Sequence, residues 1–253
     1  MIKVGLMGYG KAGQAVAEVL KGDPRFELVW IAKRHALPEG HPQPLGLPVF
    51  AMSQGDFGAW LDAHPVDALV DFSTAESIHL YGEEVRKRHL TLVSAISAYS
   101  DESLAYARTL GEQARVLCSP NITLGINFLI LSARMLRGIA PFADVEILEQ
   151  HFREKPEMSG TARKIAQTLD LDNDRITSLR LGGIVGLHEV IFGFPHQTVR
   201  ITHESIRREA FGTGAAFALG ELSKRPYGFY TFDDLLMTMI REQLTQPDAG
   251  EQP

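Results

Sequence analysis

Several features are scarce or missing in this chain of 253 residues, and each absence narrows the possible functions. The single cysteine, Cys118, excludes an internal disulfide framework and a metal site built from cysteines, and we expect no bound metal. No apolar run approaches the roughly 20 residues that a helix needs to cross a bilayer, so no membrane contact is expected. The residues after Met1 have the pattern of a core strand and not of a signal peptide, which predicts a cytoplasmic protein.

The chain also lacks a basic excess. Its 25 Lys and Arg residues against 31 Asp and Glu residues give a formal net charge of -6 at pH 7. A general nucleic-acid-binding protein needs positive charge to offset phosphate repulsion, so nucleic acid is not an expected partner. The 45% hydrophobic and 22% charged residues are the proportions of an ordinary globular protein, with no internal repeat or low-complexity segment. The length allows one large domain or two ordinary ones.

Residues 1–121 alternate short apolar runs with stretches of helical spacing. Strands are predicted at Ile2–Met7, Glu27–Ala32, Ala68–Phe72, Thr91–Ala95 and Arg115–Ser119. Helices are predicted between them at Ala12–Leu20, Ser53–Ala63, Ala75–Arg88 and Ser100–Gln113. Continuously apolar strands joined by helices indicate a parallel sheet that is covered on both faces. This part of the chain is therefore predicted to be a Rossmann-type doubly wound domain.

The pattern changes after Asn121. Further strands are predicted at Val145–His151, Ile176–Gly182, His188–Phe194 and Gln197–His203. Their close spacing favours a mixed or antiparallel sheet, so the fold class expected is α/β with a second, α+β domain. Helices are predicted at Gly125–Ile139, Gly160–Leu169 and Thr213–Leu222, and Gly228–Ile240 has the pattern of an aromatic stretch running into a helix. The polar residues 244–253 are predicted to be a disordered tail.

A glycine-rich loop follows the first predicted strand and opens the first predicted helix. Its residues form the GxGxxG pattern Gly8-Tyr9-Gly10-Lys11-Ala12-Gly13. Glycines at these places allow a tight turn, a close approach of the backbone to a pyrophosphate, and close packing of helix on strand. The N–H groups at the helix start then attract the phosphates. The alternative is a purely structural turn, but the strand–loop–helix context favours a nicotinamide dinucleotide site.

The second predicted strand ends next to Lys33 and Arg34, about 20 residues beyond the glycines. A site selective for NAD usually carries Asp or Glu at this place, whereas a basic pair suits the 2′-phosphate of NADP. The pair therefore favours NADPH, with NADH as a possible second cofactor. The competing interpretation is a solvated basic loop.

A second informative segment runs from the strand that ends at His151 to the helix that begins at Gly160. His151 can supply a proton near neutral pH, and Lys155 can pair with a substrate carboxylate. Ser159, Gly160 and Thr161 lie at a helix start, where backbone N–H groups can hold a carboxylate. Without other context the segment could equally be a surface loop with an ordinary capping serine.

These residues and several other motifs make the sequence similar to one enzyme family. From Met1 to about Leu236 it resembles the 4-hydroxy-tetrahydrodipicolinate reductases (dihydrodipicolinate reductases) of the lysine and diaminopimelate pathway. The motifs that carry the resemblance, besides the glycine loop, are Asp71-Phe72-Ser73, Pro120-Asn121, Gly125-Ile126-Asn127, the run Arg180, Gly182, Gly186 and His188, Ile201-Thr202-His203, Phe211–Gly214 and Gly228–Asp233.

The resemblance implies a reductase that transfers a hydride from NADPH or NADH to a cyclic unsaturated imine dicarboxylate. His151 would be the general acid and Lys155 the catalytic lysine, while Ser159, Gly160 and Thr161 would hold a substrate carboxylate. Further cofactor contacts are expected at Phe72, Ser73, Ser94, Ser97 and Asn121. The resemblance also implies that 122–226 is a substrate-binding and oligomerisation domain, that 227–243 completes the nucleotide domain, and that the chain forms a homotetramer or a dimer.

Three departures from the family pattern lie around the expected reaction centre. The second histidine of a family pair is replaced by Phe152, and the loop Pro156–Met158 is one residue shorter and differently charged than the family's V-D-A-P. The family's G-T-T-G turn reads Ser94-Ala95-Ile96-Ser97, which adds bulk where backbone and cofactor come close. Three hypotheses therefore stay open: the lysine-pathway reductase, a related imine or enone reductase acting on another small carboxylated molecule, and a non-catalytic NADP-binding protein.

Overall fold

A computed structural model describes residues 1–53 and 55–245 of the chain. The strands are β1 (Ile2–Met7), β2 (Phe26–Lys33), β3 (Val49–Ala51), β4 (Ala68–Asp71), β5 (Thr91–Ser94), β6 (Arg115–Cys118), β7 (Asp144–His151), β8 (Ile176–Arg180), β9 (Gly186–Phe194), β10 (Gln197–Ser205) and β11 (Gly228–Tyr230). The helices are α1 (Lys11–Gly22), α2 (Phe57–Ala63), α3 (Ser77–Lys87), α4 (Asp101–Leu110), α5 (Leu124–Ile139), α6 (Gly160–Thr168), α7 (Glu209–Leu222) and α8 (Phe232–Thr245).

The chain divides into two compact units. The first unit is formed by Met1–Ile122 and by the residues from Phe211 onward, and the second unit is Thr123–Ala210. None of the helices in the described part of the chain is both long and apolar enough to span a membrane.

The first unit is built on a seven-stranded parallel sheet with the strand order β11-β6-β5-β4-β1-β2-β3. Side chains alternate between the two faces of each strand, so neighbouring residues enter different cores. In β4, Ala68 and Val70 pack into one core with α1, α7 and α8, whereas Leu69 packs into the other with α2, α3 and α4. The predicted doubly wound α/β fold is confirmed.

The helix α7 belongs to the first unit, which differs from the predicted return of the chain at 227. Its buried residues Ala215 and Leu219 share a core with Val16 of α1. A Cβ atom at Gly212 would lie 2.6 Å from Cβ of Val19, so the two helices approach closely because a glycine stands there. The return to the first unit therefore comes at Phe211.

The predicted element boundaries need three further corrections. The strand β3 was not predicted, and α2 begins at Phe57 instead of Ser53. The helix α8 extends to Thr245, so residues 244 and 245 are helical and not part of a disordered tail. The rest of the predicted tail, 246–253, lies outside the described residues.

The second unit has a four-stranded mixed sheet with the order β10-β9-β7-β8. The β7–β8 pair is parallel, and the β7–β9 and β9–β10 pairs are antiparallel. Buried residues of α5, including Leu129 and Ala133, form a core with Ile165 of α6 and with Ile147 of β7. The predicted mixed or antiparallel sheet is confirmed.

Candidate active site

The glycine loop between β1 and α1 leaves one face of its backbone open. Gly8 has a φ of 91°, and a Cβ atom there would lie 2.6 Å from the carbonyl oxygen of Phe72. A Cβ at Gly13 would lie 2.2 Å from the carbonyl oxygen of Gly8. Gly8 and Gly13 are therefore required by the fold of the loop itself. By contrast, a Cβ at Gly10 would have no atom of the described residues within 4 Å, which leaves room for a ligand.

The start of α1 is suited to bind an anion. Gly10 is its N-cap, no side-chain hydrogen bond caps the helix, and its first turn carries no acidic residue. The N–H groups at the helix start therefore remain available for phosphate oxygens, which the helix dipole also attracts. Tyr9 packs partly against the core, and the Lys11 side chain is exposed beside the open face of the loop. The loop thus fits the pyrophosphate of a dinucleotide.

A cavity of about 440 Å³ lies beside this loop. It is lined by Ala12, Phe72, Ser73, Thr74, Ala75, Glu76, Ala95, Ile96, Ser97 and Ala98. Four of these residues, Ala12, Phe72, Ser73 and Ser97, are among the predicted cofactor contacts. Since β1, β4 and β5 are adjacent and parallel, their carboxyl ends bring these loops to the same edge of the sheet.

A buried carboxylate, Asp71 at the end of β4, fixes the position of Ser73. One oxygen of Asp71 accepts hydrogen bonds from the Ser73 backbone N–H at 2.8 Å and from its hydroxyl at 2.5 Å. The other oxygen accepts a hydrogen bond from the Tyr81 hydroxyl at 2.6 Å. Burial raises the pKa of Asp71, although these three hydrogen bonds oppose the rise. The Phe72-Ser73 turn is thus held rigidly at the cavity wall.

Two features of the turn Ser94–Ser97, whose sequence departs from the family pattern, differ from expectation. The Ser94 side chain is buried and pairs with the Tyr99 hydroxyl at 2.8 Å, so it does not line the cavity. Ile96 is only 9% exposed, so most of its added bulk packs into the protein. The exposed Ser97 is the predicted contact of this turn that lies in the cavity wall.

The remaining predicted cofactor residues lie outside this cavity. Lys33 is the half-buried last residue of β2, and Arg34 follows it with an exposed side chain. Their carbonyl oxygens accept hydrogen bonds from the N–H groups of Met52 and Ser53, which fixes the backbone, and the charge of the Arg34 side chain interacts with that of Glu76. Asn121 is half-buried after β6, and its carbonyl accepts a hydrogen bond from Ser119.

In the second unit, the buried face of β7 is apolar except for two polar side chains at its end. Its alternating pattern buries Val145 and Ile147, then Glu149 and His151 on the same face. On the adjacent strand β9, His188 pairs in register with Glu149. The polar end of this face is therefore continuous with the apolar core.

Glu149 is the centre of the polar cluster. It has no solvent exposure, and its oxygens accept hydrogen bonds from His151 Nδ1 at 2.5 Å, the Ser178 hydroxyl at 2.7 Å and the Ser159 N–H at 3.2 Å. Arg180 adds a bidentate ion pair at 2.8 Å and 3.0 Å. Burial raises the pKa of Glu149, but Arg180 and the other donors outweigh it and lower the pKa to about 2. Glu149 is therefore ionised at neutral pH.

His151 is oriented by this carboxylate. Because Nδ1 is engaged by Glu149, Nε2 is the ring nitrogen that can donate a proton to another molecule. A Cβ at Gly186 would lie 3.1 Å from His151 Nε2, so the glycine keeps the surroundings of this atom clear. Burial lowers the pKa of His151, and the Glu149 carboxylate partly restores it.

The start of α6 is attached to the same cluster. Ser159 is the N-cap, with its hydroxyl 3.4 Å from the Ala162 N–H and 2.8 Å from His188 Nε2. Burial and the nearby His151 lower the pKa of His188 to about 3, so His188 is neutral at neutral pH. Gly160, which is exposed, and Thr161, which is half-buried, form the first turn of the helix. The structure thus brings His151, Ser159 and the α6 start together.

Lys155 and Phe152 lie in the connection from β7 to α6. The Lys155 Nζ makes no hydrogen bond or ion pair within residues 1–53 and 55–245, and its charge lowers the pKa of both His151 and His188. Phe152 is 40% exposed and so is not a core residue. Glu157 is also exposed, and its carbonyl is held by Arg180 at 2.8 Å.

This arrangement combines a proton donor, a lysine side chain without a partner among the described residues and the N-terminal turn of a helix, which suits reduction of an anionic substrate. Among the described residues, no group of three or more His, Cys, Asp or Glu side chains is placed to hold a metal ion. Sequence reasoning missed the roles of Glu149 and Ser178. The alternation of β7 was a usable signal, because Glu149 and His151 are two residues apart on one strand face.

Comparison with known proteins covers both parts of the chain. The family model described as dihydrodipicolinate reductase, N-terminus, matches residues 2–122, and the model described as dihydrodipicolinate reductase, C-terminus, matches residues 122–236. A 4-hydroxy-tetrahydrodipicolinate reductase of Caldanaerobacter subterraneus subsp. tengcongensis is 30% identical over 253 residues, covering 90% of this chain and 94% of the relative. The protein of that name from Archaeoglobus fulgidus is 30% identical over 257 residues, covering 92% of this chain and 96% of the relative.

A solved structure agrees in fold. The dipicolinate-bound dihydrodipicolinate reductase from Paenisporosarcina sp. TG-14 matches with a TM-score of 0.79 and 21% identity, over 92% of this chain and 98% of that chain. A probable dehydrogenase from Thermotoga maritima matches with a TM-score of 0.63 and 10% identity, over 94% of both chains. At these identities the two structures support the fold and not the chemistry.

Proposed function

The chain belongs to the dihydrodipicolinate reductase family, and we propose that it is a 4-hydroxy-tetrahydrodipicolinate reductase of lysine biosynthesis in which His151 is the general acid. The observation that carries this assignment of His151 is its geometry: Nδ1 is bound to a buried carboxylate, and Nε2 faces the space beside Gly186. The family match makes the chain an enzyme of the nicotinamide-dependent reductases.

Residues of the first unit would bind the cofactor, and residues of the second unit would bind the substrate and donate the proton. A bound reduced nicotinamide supplies the hydride, and the α1 start with Gly10 would hold its pyrophosphate. His151 Nε2 would donate a proton to the substrate as the hydride adds. Lys155 Nζ and the N–H groups at the α6 start would bind and orient the substrate carboxylates.

A growth experiment tests this function. A bacterial strain that lacks its own 4-hydroxy-tetrahydrodipicolinate reductase needs added diaminopimelate, and expression of this chain should remove that need. Expression of the His151→Gln variant at the same level should not. Growth with neither protein, together with turnover of other cyclic imines, would instead support a related reductase; NADPH binding without any turnover would support a non-catalytic binding protein.

We expect tighter binding of NADPH than of NADH. Lys33 and Arg34 present basic side chains at the end of β2, and losing their contacts with a 2′-phosphate should cost about 1–3 kcal/mol. The Lys33→Ala/Arg34→Ala double variant should lose the difference between the two cofactors in a calorimetric titration. The exposed Arg86→Ala/Lys87→Ala pair on α3 removes the same charges elsewhere and should keep it. Equal affinities in the wild type would refute the preference.

A specific observation also favours a modified substrate pocket. Phe152 is 40% exposed next to His151, so an apolar ring stands where the family has a second histidine. Arg180 does not compensate, since its guanidinium is bound to Glu149 and to the loop. Because one charge contact is missing, pyridine-2,6-dicarboxylate should inhibit this enzyme about 10-fold or more weakly than a family enzyme with the paired histidines.

The Phe152→His variant should recover part of that inhibition. Inhibition constants measured at one ionic strength give the comparison, and Phe142→His, at another exposed phenylalanine of the second unit, is the matched control. Tight inhibition of the wild type that Phe152→His leaves unchanged would show that the pocket is an ordinary one for this family.

The resemblance and the composition also support a homo-oligomer, a tetramer or a dimer, located in the cytoplasm. Light scattering coupled to size-exclusion chromatography would give the mass in solution. A monomer at all concentrations would contradict this part of the proposal.

A further inference from the structure

Arg180 of β8 has no N–H group left for a substrate. Arginine carries five N–H donors. In this chain Nε donates to the Lys155 carbonyl at 3.1 Å, and Nη1 donates to Glu149 at 3.0 Å and to the Leu179 carbonyl at 2.9 Å. Nη2 donates to Glu149 at 2.8 Å and to the Glu157 carbonyl at 2.8 Å. The guanidinium is therefore a structural connection and not a carboxylate ligand.

Glu149 is saturated in the same way. It joins β7, through His151, to β8, through Ser178 and Arg180, and to the start of α6, through the Ser159 N–H. The pair of Glu149 and Arg180 thus contacts each segment that carries a proposed substrate residue of the second unit.

We propose that Glu149 and Arg180 form a positioning pair, in which Glu149 holds His151 with Nε2 directed toward the substrate and Arg180 sets the backbone path of the loop that carries Lys155. Neither residue touches the substrate. The inference rests on the proposed function for its kinetic readouts, although its spectroscopic readout does not depend on any activity.

Stability gives a poor explanation for this pair. Glu149 is fully buried and the Arg180 side chain is 22% exposed, and a largely buried ion pair is often no more stabilising than apolar residues of the same volume, because removing charges from water costs several kcal/mol. Its geometry is better explained by orientation, since a carboxylate bound to Nδ1 selects one tautomer of the imidazole. The bidentate pairing also requires the planar guanidinium, which lysine cannot replace.

The spectroscopic test uses the wild-type protein without substrate. Ring ¹⁵N shifts of His151, assigned by comparison with His151→Gln, should show the neutral ring protonated on Nδ1. In Glu149→Gln that preference should be lost and the pKa of His151 should fall. A wild-type ring protonated on Nε2, or an unchanged tautomer and pKa in the variant, would overturn the proposal even if the enzyme acts on another substrate.

The kinetic test compares Glu149→Gln with Glu146→Gln. Glu146 lies on the same strand and pairs at 4.0 Å with Arg175 at the surface. Its substitution by glutamine therefore removes the same negative charge, but away from the site. Glu149→Gln should lower kcat about 10-fold or more, whereas Glu146→Gln should not. NADPH affinity should stay the same in both variants, because the nucleotide residues belong to the first unit. Equal kcat values in the two variants would refute the positioning role.

The pH dependence of kcat shows in which direction Glu149 shifts the pKa of His151. The charged and titratable groups that face His151 are Glu149, Lys155, Arg180 and His188, and of these only Glu149 favours the protonated ring. A general acid must be protonated, so kcat falls as the pH rises through the pKa of His151. Removing the Glu149 charge should move this fall to lower pH by about one unit or more.

The Arg180→Lys variant tests the second half of the proposal, that Arg180 sets the backbone path of the loop that carries Lys155. It keeps a positive charge but loses the hydrogen bonds that hold the Lys155 and Glu157 carbonyls. The variant should therefore raise the KM for the substrate about 10-fold, with a smaller change in kcat. An unchanged KM would show that the loop does not depend on Arg180.

Discussion

Replacing His151 with glutamine is expected to lower kcat about 100-fold or more, the usual contribution of a positioned general acid. Glutamine has nearly the size of the ring but cannot carry a transferable proton. The loss should be large because Lys155, which is proposed to bind a substrate carboxylate, is not paired with a carboxylate in the described part of the chain and would not replace the proton donor. Steady-state kinetics with saturating NADPH gives the measurement.

The control for this variant is His196→Gln. His196 is an exposed histidine in the turn between β9 and β10 of the same unit, so the substitution is identical but lies outside the site. It should leave kcat unchanged, and both variants should bind NADPH as the wild type does. Full turnover by the His151 variant would remove this residue from the mechanism.

The second large effect is expected at the nucleotide loop. Gly10→Ala should weaken dinucleotide binding by about 100-fold or more, a loss of about 3 kcal/mol, while the protein stays folded. The added methyl group meets no atom of the described residues within 4 Å, so it would occupy only the space that is proposed here for the pyrophosphate. Titration with NADPH and a thermal melt together give the measurement.

Two other glycines of α1 provide the comparison. Gly22→Ala at the far end of the helix also meets no neighbour within 4 Å and should affect neither binding nor folding. Gly13→Ala should unfold or strongly destabilise the protein, because its Cβ would lie 2.2 Å from the Gly8 carbonyl oxygen. Normal NADPH binding by Gly10→Ala would show that the pyrophosphate lies elsewhere.

The sequence predicted those parts of the fold whose pattern is long and periodic. The five apolar strands β1, β2, β4, β5 and β6 were found within one residue of their observed ends, because a buried parallel strand is a continuous apolar run. The strands β3 and β11 were not recognised as strands, since three residues are too few to show a period. The unit to which α7 belongs could not be predicted, because small residues pack equally well against either neighbour.

The candidate site was predictable in part. His151, Lys155 and Ser159 could be named from a motif, and the glycine loop from its context. The partners of these residues could not: Ser178 and Arg180 reach Glu149 only through the parallel pairing of β7 with β8, more than 25 residues apart in the chain. The buried position of Ser94 likewise depends on Tyr99, whose hydroxyl meets it only after folding.

The central claim is tested most directly by NADPH oxidation with enzymatically generated 4-hydroxy-tetrahydrodipicolinate, comparing the wild type with His151→Gln and His196→Gln. The account predicts that the wild type and His196→Gln consume one NADPH and release the 4-hydroxyl group as one water for each tetrahydrodipicolinate formed, and that His151→Gln does so about 100-fold more slowly. A wild-type protein that binds NADPH but does not reduce this substrate would contradict it.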